Sequence, residues 1–484
     1  MALRYICLSD LHLGAANSLL THIDGQDQPN PALPSQALVL FADGLRATAK
    51  RLSDGTPPTL LLLGDVLDLG LSPAGATAKA FLRFLDVLFP EDGEQLFQHD
   101  IICVPGNHDY SVWSQTQETA FIASVECDGP ETVAEDLAQF TPMFGEPQLE
   151  SPLMTRLLRT RKGLEHASVR VAYPNYGLKN TCGKRVAVIH HGHNIDAMYR
   201  GLSRFKSWLS DSPDPPMTVA ELAENGPWID FLWSDLGSAG DAGKGAGALY
   251  EIMLDAGASH FLAGEIAERL LDKLEKGFGL LPNKVLAKGV TVSELVRALI
   301  DLTIGKAAES QRNGYATVLS TDELSDLRWY LSGPVTAQMK HEGMAHRPDQ
   351  MAFIFGHTHK PFQDQLSVPG FTLPVAVYNT GGWVLDQPTL MPCQGASAIL
   401  IDDALNIAAL RLFNDPVNDV MASVQVEGIG GWLDQQNPLL AEVIAAIAAE
   451  ADRWTLFSDA VNGGIKKRAD MRMAELYTWQ DAAE

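Results

Sequence analysis

Carboxylate and imidazole side chains recur in five short clusters along this 484-residue sequence. The clusters are Asp10-Leu11-His12, Gly64-Asp65-Val66-Leu67-Asp68, Gly106-Asn107-His108-Asp109, His191-Gly192-His193 and Gly356-His357-Thr358-His359. Carboxylate, imidazole and amide groups are ligands that divalent metals take in proteins, and one carboxylate often bridges two ions. Each cluster alone is a weak signal, but five in order predict one metal site assembled from distant parts of the chain.

The elements before the clusters have the pattern of buried strands. Each cluster directly follows a short apolar run, and these runs are Leu3–Ser9, Thr59–Leu63, Asp100–Val104, Arg185–Ile189 and Met351–Phe355. Helical spacing of apolar residues appears between them, at Gln36–Leu52 and Thr77–Phe89. Alternating strands and helices predict an α/β fold whose site lies at the carboxyl ends of the strands.

The character of the sequence changes at residues 201–347, between the fourth and fifth clusters. Its first part is rich in Pro, Gly, Asp and Ser, and helical patterns follow at Ala263–Lys276 and Val292–Ile304. We therefore predict a mainly helical insertion that acts as a lid or cap. Residues 1–200 and 348–415 would form the core, and residues 416–484 a C-terminal extension with a helix at Leu439–Trp454.

The overall composition is acidic, with 60 acidic and 36 basic residues and a formal charge of −24. Such a surface repels nucleic acid phosphates and anionic membranes, so a nucleic acid partner is disfavoured. Five scattered cysteines argue for reduced thiols, and the sequence shows neither a secretory signal nor a transmembrane segment. We expect a cytoplasmic location; whether the chain forms a homo-oligomer is left open.

The order of the clusters resembles the signature of the calcineurin-like metallophosphoesterase superfamily, which is D-x-H, G-D-x-x-D, G-N-H-D/E, H-x and G-H-x-H. The resemblance implies a four-layer αββα sandwich and two divalent metal ions, with manganese favoured and Fe, Zn, Ni or Co as alternatives. It implies that Asp65 bridges the two ions. The other implied ligands are Asp10, His12 and His359 for the first ion and Asn107, His191 and His357 for the second.

The same resemblance implies a hydrolytic mechanism, in which a hydroxide that bridges the two metals attacks phosphorus in line. His108 would stabilise the transition state or protonate the leaving oxygen, and Asp68 would orient it. A helix N-cap is a rival role for Asp68. Asp109 would support the turn or contact substrate, and His193 would face the substrate or the insertion.

The substrate is predicted only as a class: a phosphoester in a small molecule, a nucleotide or a lipid headgroup. Protein Ser/Thr phosphatases of the superfamily carry an arginine directly after G-D-x-x-D, where this sequence has Leu69. The missing arginine disfavours a protein phosphatase and slightly favours a phosphodiester over a monoester. Arg200 and Arg204 would share a helix face and bind a substrate phosphate, although ordinary ion pairing is the stronger interpretation in so acidic a chain.

Two other functions remain open. The segment S-D-L-H-L-G is similar to the repair exonuclease branch, which makes a DNA or RNA nuclease the alternative. In contrast, G-H-T-H-K-P followed by Y-N-T-G-G-W looks more like the branch of small-molecule phosphoesterases and UDP-diacylglucosamine hydrolases. A non-catalytic binding module that keeps the fold is the third hypothesis, and the intact set of ligands argues against it.

Overall fold

The computed structural model describes residues 2–70, 72–128, 137–196, 199–200, 203, 215–223, 226, 271, 275, 281–285, 291, 293–294, 318–385, 390–416, 423–429 and 437–483. The chain divides into two compact units. The first is formed by residues 1–192 and 338–484, and the second by residues 193–337. The domain boundaries expected from the sequence remain a prediction.

The described strands all belong to the first unit. They are β1 (Leu3–Leu8), β2 (Thr21–Ile23), β3 (Pro29–Pro34), β4 (Thr59–Leu62), β5 (Ile101–Cys103), β6 (Leu149–Glu150), β7 (Val169–Val171), β8 (Asn175–Lys179), β9 (Arg185–His190), β10 (Gln350–Phe355), β11 (Phe362–Leu366), β12 (Val375–Asn379), β13 (Gly395–Asp402), β14 (Ile407–Asn414) and β15 (Gln425–Glu427). The described residues form an eight-stranded sheet in the order β15-β14-β13-β1-β4-β5-β7-β6 and a five-stranded sheet in the order β11-β12-β10-β9-β8.

The strands that precede the five clusters run parallel within their sheets. β1, β4 and β5 are parallel neighbours in the large sheet, and β9 and β10 are parallel neighbours in the small one. Apolar side chains from both sheets share one buried cluster, which includes Leu61, Ile102, Ile189 and Ile354. Because parallel strands end at the same edge, this packing brings the five clusters to one edge of the core. The chain has the mixed α/β fold that the sequence predicts; the exact four-layer order remains a prediction.

The described helices of the first unit are α1 (Gln36–Leu52), α2 (Ala74–Leu88), α3 (Tyr110–Asp128), α4 (Pro152–Leu158), α8 (Pro438–Ala449) and α9 (Ala451–Ala483). α1 has the predicted bounds because the Ser35 hydroxyl caps it, accepting a hydrogen bond from the Leu38 amide at 3.1 Å. α8 and α9 lie against β14, and α9 packs along α1. The C-terminal residues are therefore part of the first unit.

The single helix expected at Leu439–Trp454 is wrong, because the chain breaks between α8 and α9. Glu450 leaves helical geometry with φ −113° and ψ 23°. Its carboxylate pairs with Arg51 of α1 at 2.7 Å and with Arg453 at 3.0 Å. The residue at the break thus pairs with one arginine far away in the sequence and one nearby, although the apolar pattern continues through it.

The second unit contains α5 (Val219–Ala223) and α6 (Thr321–Tyr330) among its described elements, and α7 (Thr336–His341) begins in it and ends in the first unit. α6 begins with a capping box, in which the Ser320 hydroxyl and the Glu323 carboxylate each accept from the other residue's amide. The predicted helices Ala263–Lys276 and Val292–Ile304 lie almost entirely outside the described residues.

Candidate metal centre

Five of the predicted metal ligands lie in a backbone conformation that side chains rarely adopt. The φ angles are 51° at Asp10, 44° at His12, 51° at Asp65, 70° at His357 and 55° at His359. A residue other than glycine in this left-handed region costs about 1–3 kcal/mol and persists only where its surroundings fix it. The surrounding structure therefore holds the backbone in sharp turns at these five positions. Strained backbone of this kind is typical of functional sites.

Backbone hydrogen bonds between neighbouring strand ends hold the turns. The Asp10 amide donates to the Gly64 carbonyl at 3.0 Å, and the His12 amide donates to the Asp65 carbonyl at 2.9 Å. Gly356 lies so close to the first turn that a Cβ there would overlap Asp10 Oδ2 and Ser9 Oγ. Only glycine fits between these strand ends.

Asp10, His12 and His359 form the first group of potential metal ligands, with one atom of each within 4.8 Å of the others. Asp10 Oδ1 lies 3.4 Å from His359 Nε2, and the His357 amide donates to the Asp10 carboxylate at 3.0 Å. His12 Nε2 is buried without a hydrogen-bond partner. A buried ring nitrogen beside a carboxylate and a second imidazole fits a metal ligand, because leaving it unpaired is otherwise costly.

Asp65, His191 and His357 form the second group, again within 4.8 Å. His191 Nδ1 donates to the Leu63 carbonyl at 2.8 Å, so its Nε2 is the nitrogen that faces the group. This Nε2 lies 3.0 Å from Asn107 Oδ1 and 3.3 Å from Asp65 Oδ2. Three different strand ends thus supply converging nitrogen and oxygen atoms, which is the donor set of a divalent metal.

Asp65 lies between the two groups. Its Oδ2 is 3.3 Å from His191 Nε2 and 3.9 Å from His12 Nε2, and its Oδ1 accepts a hydrogen bond from the His108 amide at 2.8 Å. The carboxylate is 2 % exposed. Its position fits a ligand shared between two ions.

Asp68 joins His12 and His108. Its Oδ1 lies 3.3 Å from His12 Nδ1 and 3.2 Å from His108 Nδ1, and the Ser72 hydroxyl donates to Oδ2 at 2.5 Å. Asp68 does not cap the following helix, because α2 begins at Ala74 with Pro73 in the N-cap position. The carboxylate therefore fixes the orientation of two imidazoles, one in the ligand group and one beside it.

Asp109 is fully buried and its carboxylate is occupied by backbone amides. Oδ1 accepts from Gly106 at 2.7 Å and from Asp65 at 3.2 Å, whereas Oδ2 accepts from Val66 at 2.9 Å and from Leu67 at 3.3 Å. These contacts favour support of the turns over contact with substrate.

The charges in this cluster stabilise one another. Burial raises the pKa of Asp65, but His191 and His108 outweigh burial and hold its pKa well below the ordinary value. Burial lowers the pKa of His191, yet Asp65 and Asp10 raise it to about 9. Burial likewise opposes the charge on His108, whose pKa is nevertheless raised by Asp65 and Asp68. A divalent cation among the same atoms would supply the balancing charge, and the imidazoles would bind it as neutral ligands.

The adjacent His190 has a different environment from His191. Its Nδ1 accepts a hydrogen bond from the Gly192 amide at 2.7 Å, and its ring lies 6.2 Å from that of Phe353. Burial, followed by the nearby His191, holds the pKa of His190 well below its ordinary value. It is thus a packed side chain and does not belong to either group of potential ligands.

The remaining predicted contacts belong to the second unit. His193 is buried in a short 3₁₀ helix with its ring 5.6 Å from Tyr199. Arg200 Nε pairs with Asp326 at 3.1 Å, and its guanidinium lies 3.9 Å from the centre of the Trp329 ring. Arg200 therefore forms the ion pair that the sequence offered as the stronger interpretation. Arg204 lies outside the described residues.

Sequence reasoning missed the polar residues behind Asp10. The Ser9 hydroxyl donates to Asp10 Oδ2 and also bonds Thr380 Oγ1, and Asn379 Nδ2 donates to the Gly356 carbonyl at 2.9 Å. These residues lie in the segments S-D-L-H and N-T-G-G, which carry part of the family resemblance. Nothing local shows that residues so far apart in sequence make contact.

Comparison with known proteins decides the family. The family model described as calcineurin-like phosphoesterase matches residues 3–273, which is more than half of the chain. The chain belongs to the calcineurin-like phosphoesterase family. The matched range contains the first four clusters of this phosphoesterase, and the fold adds the fifth, Gly356–His359, to them. A search of curated proteins found no match.

Membership in this family, together with the Asp and His groups, supports metal-dependent phosphoester hydrolysis as the general activity. Within the described part of the chain, no helix combines the length and the apolar character needed to cross a bilayer.

Proposed function

We propose that this protein is a dinuclear phosphoesterase that hydrolyses a phosphoester in a small molecule, a nucleotide or a lipid headgroup. The observation that carries this proposal is the convergence of four strand ends, those of β1, β4, β9 and β10, into two adjoining groups of Asp and His atoms, with Asp65 between them. One ion would be held by Asp10, His12, His359 and Asp65. The other would be held by Asn107, His191, His357 and Asp65.

Bound divalent ions would activate a water molecule by lowering its pKa and would neutralise the phosphoryl oxygens. His108 would then stabilise or protonate the leaving oxygen. The contact of its Nδ1 with Asp68 directs the opposite, Nε2 edge of the ring away from that carboxylate, so we expect Nε2 to face the leaving group. Asp68 keeps the ring in one orientation and stabilises its positive charge.

The metal identity and the substrate are proposed on chemical grounds. Mixed carboxylate, amide and imidazole ligands suit manganese, and they also suit Fe, Zn, Ni or Co. Leu69 follows the second carboxylate of G-D-x-x-D, and Arg200 is engaged with Asp326. Neither of these two positions supplies an arginine for a dianionic monoester, which slightly favours a diester. A cytoplasmic location also remains a proposal, supported by five cysteines that form no disulfide, all of them within the described residues.

A panel of substrates tests the proposal. Protein reconstituted with Mn²⁺ is assayed against a phosphomonoester, a phosphodiester, a nucleotide-sugar pyrophosphate and single-stranded DNA. We expect hydrolysis of a small phosphoester that depends on Mn²⁺ and is lost in His108→Ala and Asp65→Asn. Full activity in both variants would show that His108 and Asp65 are wrongly assigned to the active site. Cleavage of DNA alone would favour the nuclease alternative.

A further inference from the structure

The C-terminal helix α9 contains an arginine whose burial the metal centre alone does not explain. Arg468 is 4 % exposed, and no carboxylate among the described residues contacts it. Burial lowers the pKa of its guanidinium to about 10. An arginine buried without a carboxylate is unfavourable unless its donors are used, so the contacts of this side chain indicate its role.

Outside its own helix, Arg468 donates to two backbone carbonyls of one loop. Its Nη2 donates to Ser18 and, at 2.6 Å, to Thr21. The Ser18 carbonyl also accepts from the Thr21 amide at 3.1 Å, so the guanidinium clamps the turn that these residues form. Lys467, the preceding residue, donates to the Asp24 carbonyl at 2.7 Å. The helix thus holds the segment that directly follows His12.

This loop is connected to the first group of ligands by a second hydrogen bond. The Ser18 hydroxyl donates at 2.7 Å to the carbonyl of Leu11, which lies between Asp10 and His12. Both neighbours of Leu11 have left-handed backbone angles, so the position of this carbonyl is coupled to two strained turns. Arg468, Ser18 and Leu11 form a continuous chain of contacts from α9 to the ligands.

A parallel set of contacts joins α9 to Asp10 through apolar side chains. The Phe457 ring lies 6.2 Å from that of Trp383, whose amide donates to the Asp10 carbonyl at 2.9 Å. The Trp383 carbonyl accepts from Leu19 at 2.8 Å, in the same loop that Arg468 clamps. A second route therefore leads from this helix to Asp10, and it meets the first route at Leu19.

We propose that Arg468 is a positioning residue, which acts through Ser18 and Leu11 to fix Asp10 and His12 for metal binding. The proposal rests on the proposed metal centre and extends it to a helix beyond the part of the chain that the family model matches. The helix would then be part of the working site, although none of its side chains is a ligand.

The test measures Mn²⁺ binding to the metal-stripped full-length protein by calorimetric titration, without substrate. We expect Arg468→Met and Ser18→Ala each to weaken one of the Mn²⁺ sites about tenfold, the lower end of the effect of groups that orient ligands. Arg468→Lys should recover most of the affinity, because an ammonium group still offers donors to both carbonyls. In the Co²⁺-loaded protein, the visible absorption spectrum of Arg468→Met should differ from that of the wild type.

Val461→Ala is the matched control, since Val461 is buried in the same helix and its apolar side chain has no hydrogen-bond donor. It should lower the melting temperature and leave Mn²⁺ affinity unchanged. If Arg468→Met loses stability as this control does but binds Mn²⁺ like the wild type, the proposal is overturned. If Arg468→Met does not fold, wild-type Mn²⁺ affinity in Ser18→Ala overturns it equally.

The proposed function fails separately. If the wild-type protein binds two Mn²⁺ ions but hydrolyses none of the phosphoesters, the proposed phosphoesterase activity is wrong. The Mn²⁺ affinities of the variants would still decide the role of Arg468.

Discussion

At the scale of single residues, the site depends on one carboxylate that serves two imidazoles. Asp68 Oδ1 lies within 3.3 Å of the Nδ1 atoms of both His12 and His108. Burial raises the pKa of Asp68, but His108 and His12 hold it below the ordinary value, so the carboxylate stays charged. A change at this position should therefore affect metal binding and chemistry together.

We predict that Asp68→Asn lowers kcat about 10- to 100-fold at saturating Mn²⁺, with KM nearly unchanged. The amide keeps the shape of the carboxylate but loses the charge that orients His108 and stabilises its imidazolium form. Steady-state kinetics with a small phosphodiester measure the effect. Asp364→Asn, at an exposed position of β11, is the control and should retain full activity. Wild-type kcat in Asp68→Asn would remove Asp68 from the mechanism.

At the scale of elements, the strand ends approach each other so closely that no residue larger than glycine fits at some positions. Gly356 follows β10 and faces the Asp10 carboxylate across the gap between the two sheets. The position is set by the packing of β10 against the opposite sheet, so the backbone cannot withdraw without disturbing the core.

We predict that Gly356→Ala abolishes Mn²⁺ binding at the first group of ligands, because its Cβ would displace Asp10 Oδ2. Calorimetric titration with Mn²⁺ measures the loss. Gly463→Ala in α9 is the matched control, since nothing lies within 4 Å of a Cβ built there. That control should keep Mn²⁺ affinity and gain about 0.5–1 kcal/mol of stability from the better helix former. Wild-type Mn²⁺ affinity in Gly356→Ala would show that the contact between Gly356 and the Asp10 carboxylate does not limit metal binding.

At the scale of the whole molecule, the candidate metal centre joins parts of the chain that are hundreds of residues apart. The proposed ligands of the first four clusters lie between residues 10 and 191 and those of the fifth lie after residue 338, on the two stretches that form the first unit. Ions that bind all these segments bind only the folded protein, so they should stabilise it.

We predict that Mn²⁺ binds with a stoichiometry of two and raises the melting temperature. Each ion at 100 times its Kd contributes about 2.7 kcal/mol, so two ions together correspond to a rise on the order of 5 °C. Elemental analysis gives the stoichiometry, and thermal scans with Mn²⁺ or with EDTA give the shift. Asp65→Asn should bind fewer ions, because it removes the shared ligand. A single ion per wild-type chain would refute the dinuclear centre.

The parts of this structure that sequence predicts are those encoded locally. The strand before Asp65 and the turn at its end can be identified from adjacent residues, and so can the capped helix α1. The break at Glu450 could not be predicted, because Arg51 pairs with it across some 400 positions. The same is true of Ser9 with Thr380 and of Arg468 with Ser18. Contacts of this kind depend on the completed fold, whereas motifs depend only on order and spacing.

The left-handed angles at five ligand positions lower the stability of the fold, and the proposed reaction requires the residues that adopt them. Glycine would relieve the backbone strain at His12 or His359. Laboratory evolution that selects for thermal stability alone should therefore replace these histidines among its first substitutions. The resulting proteins would be well folded and inert. Catalysis, and not the demands of folding, would then be what retains them in the sequence.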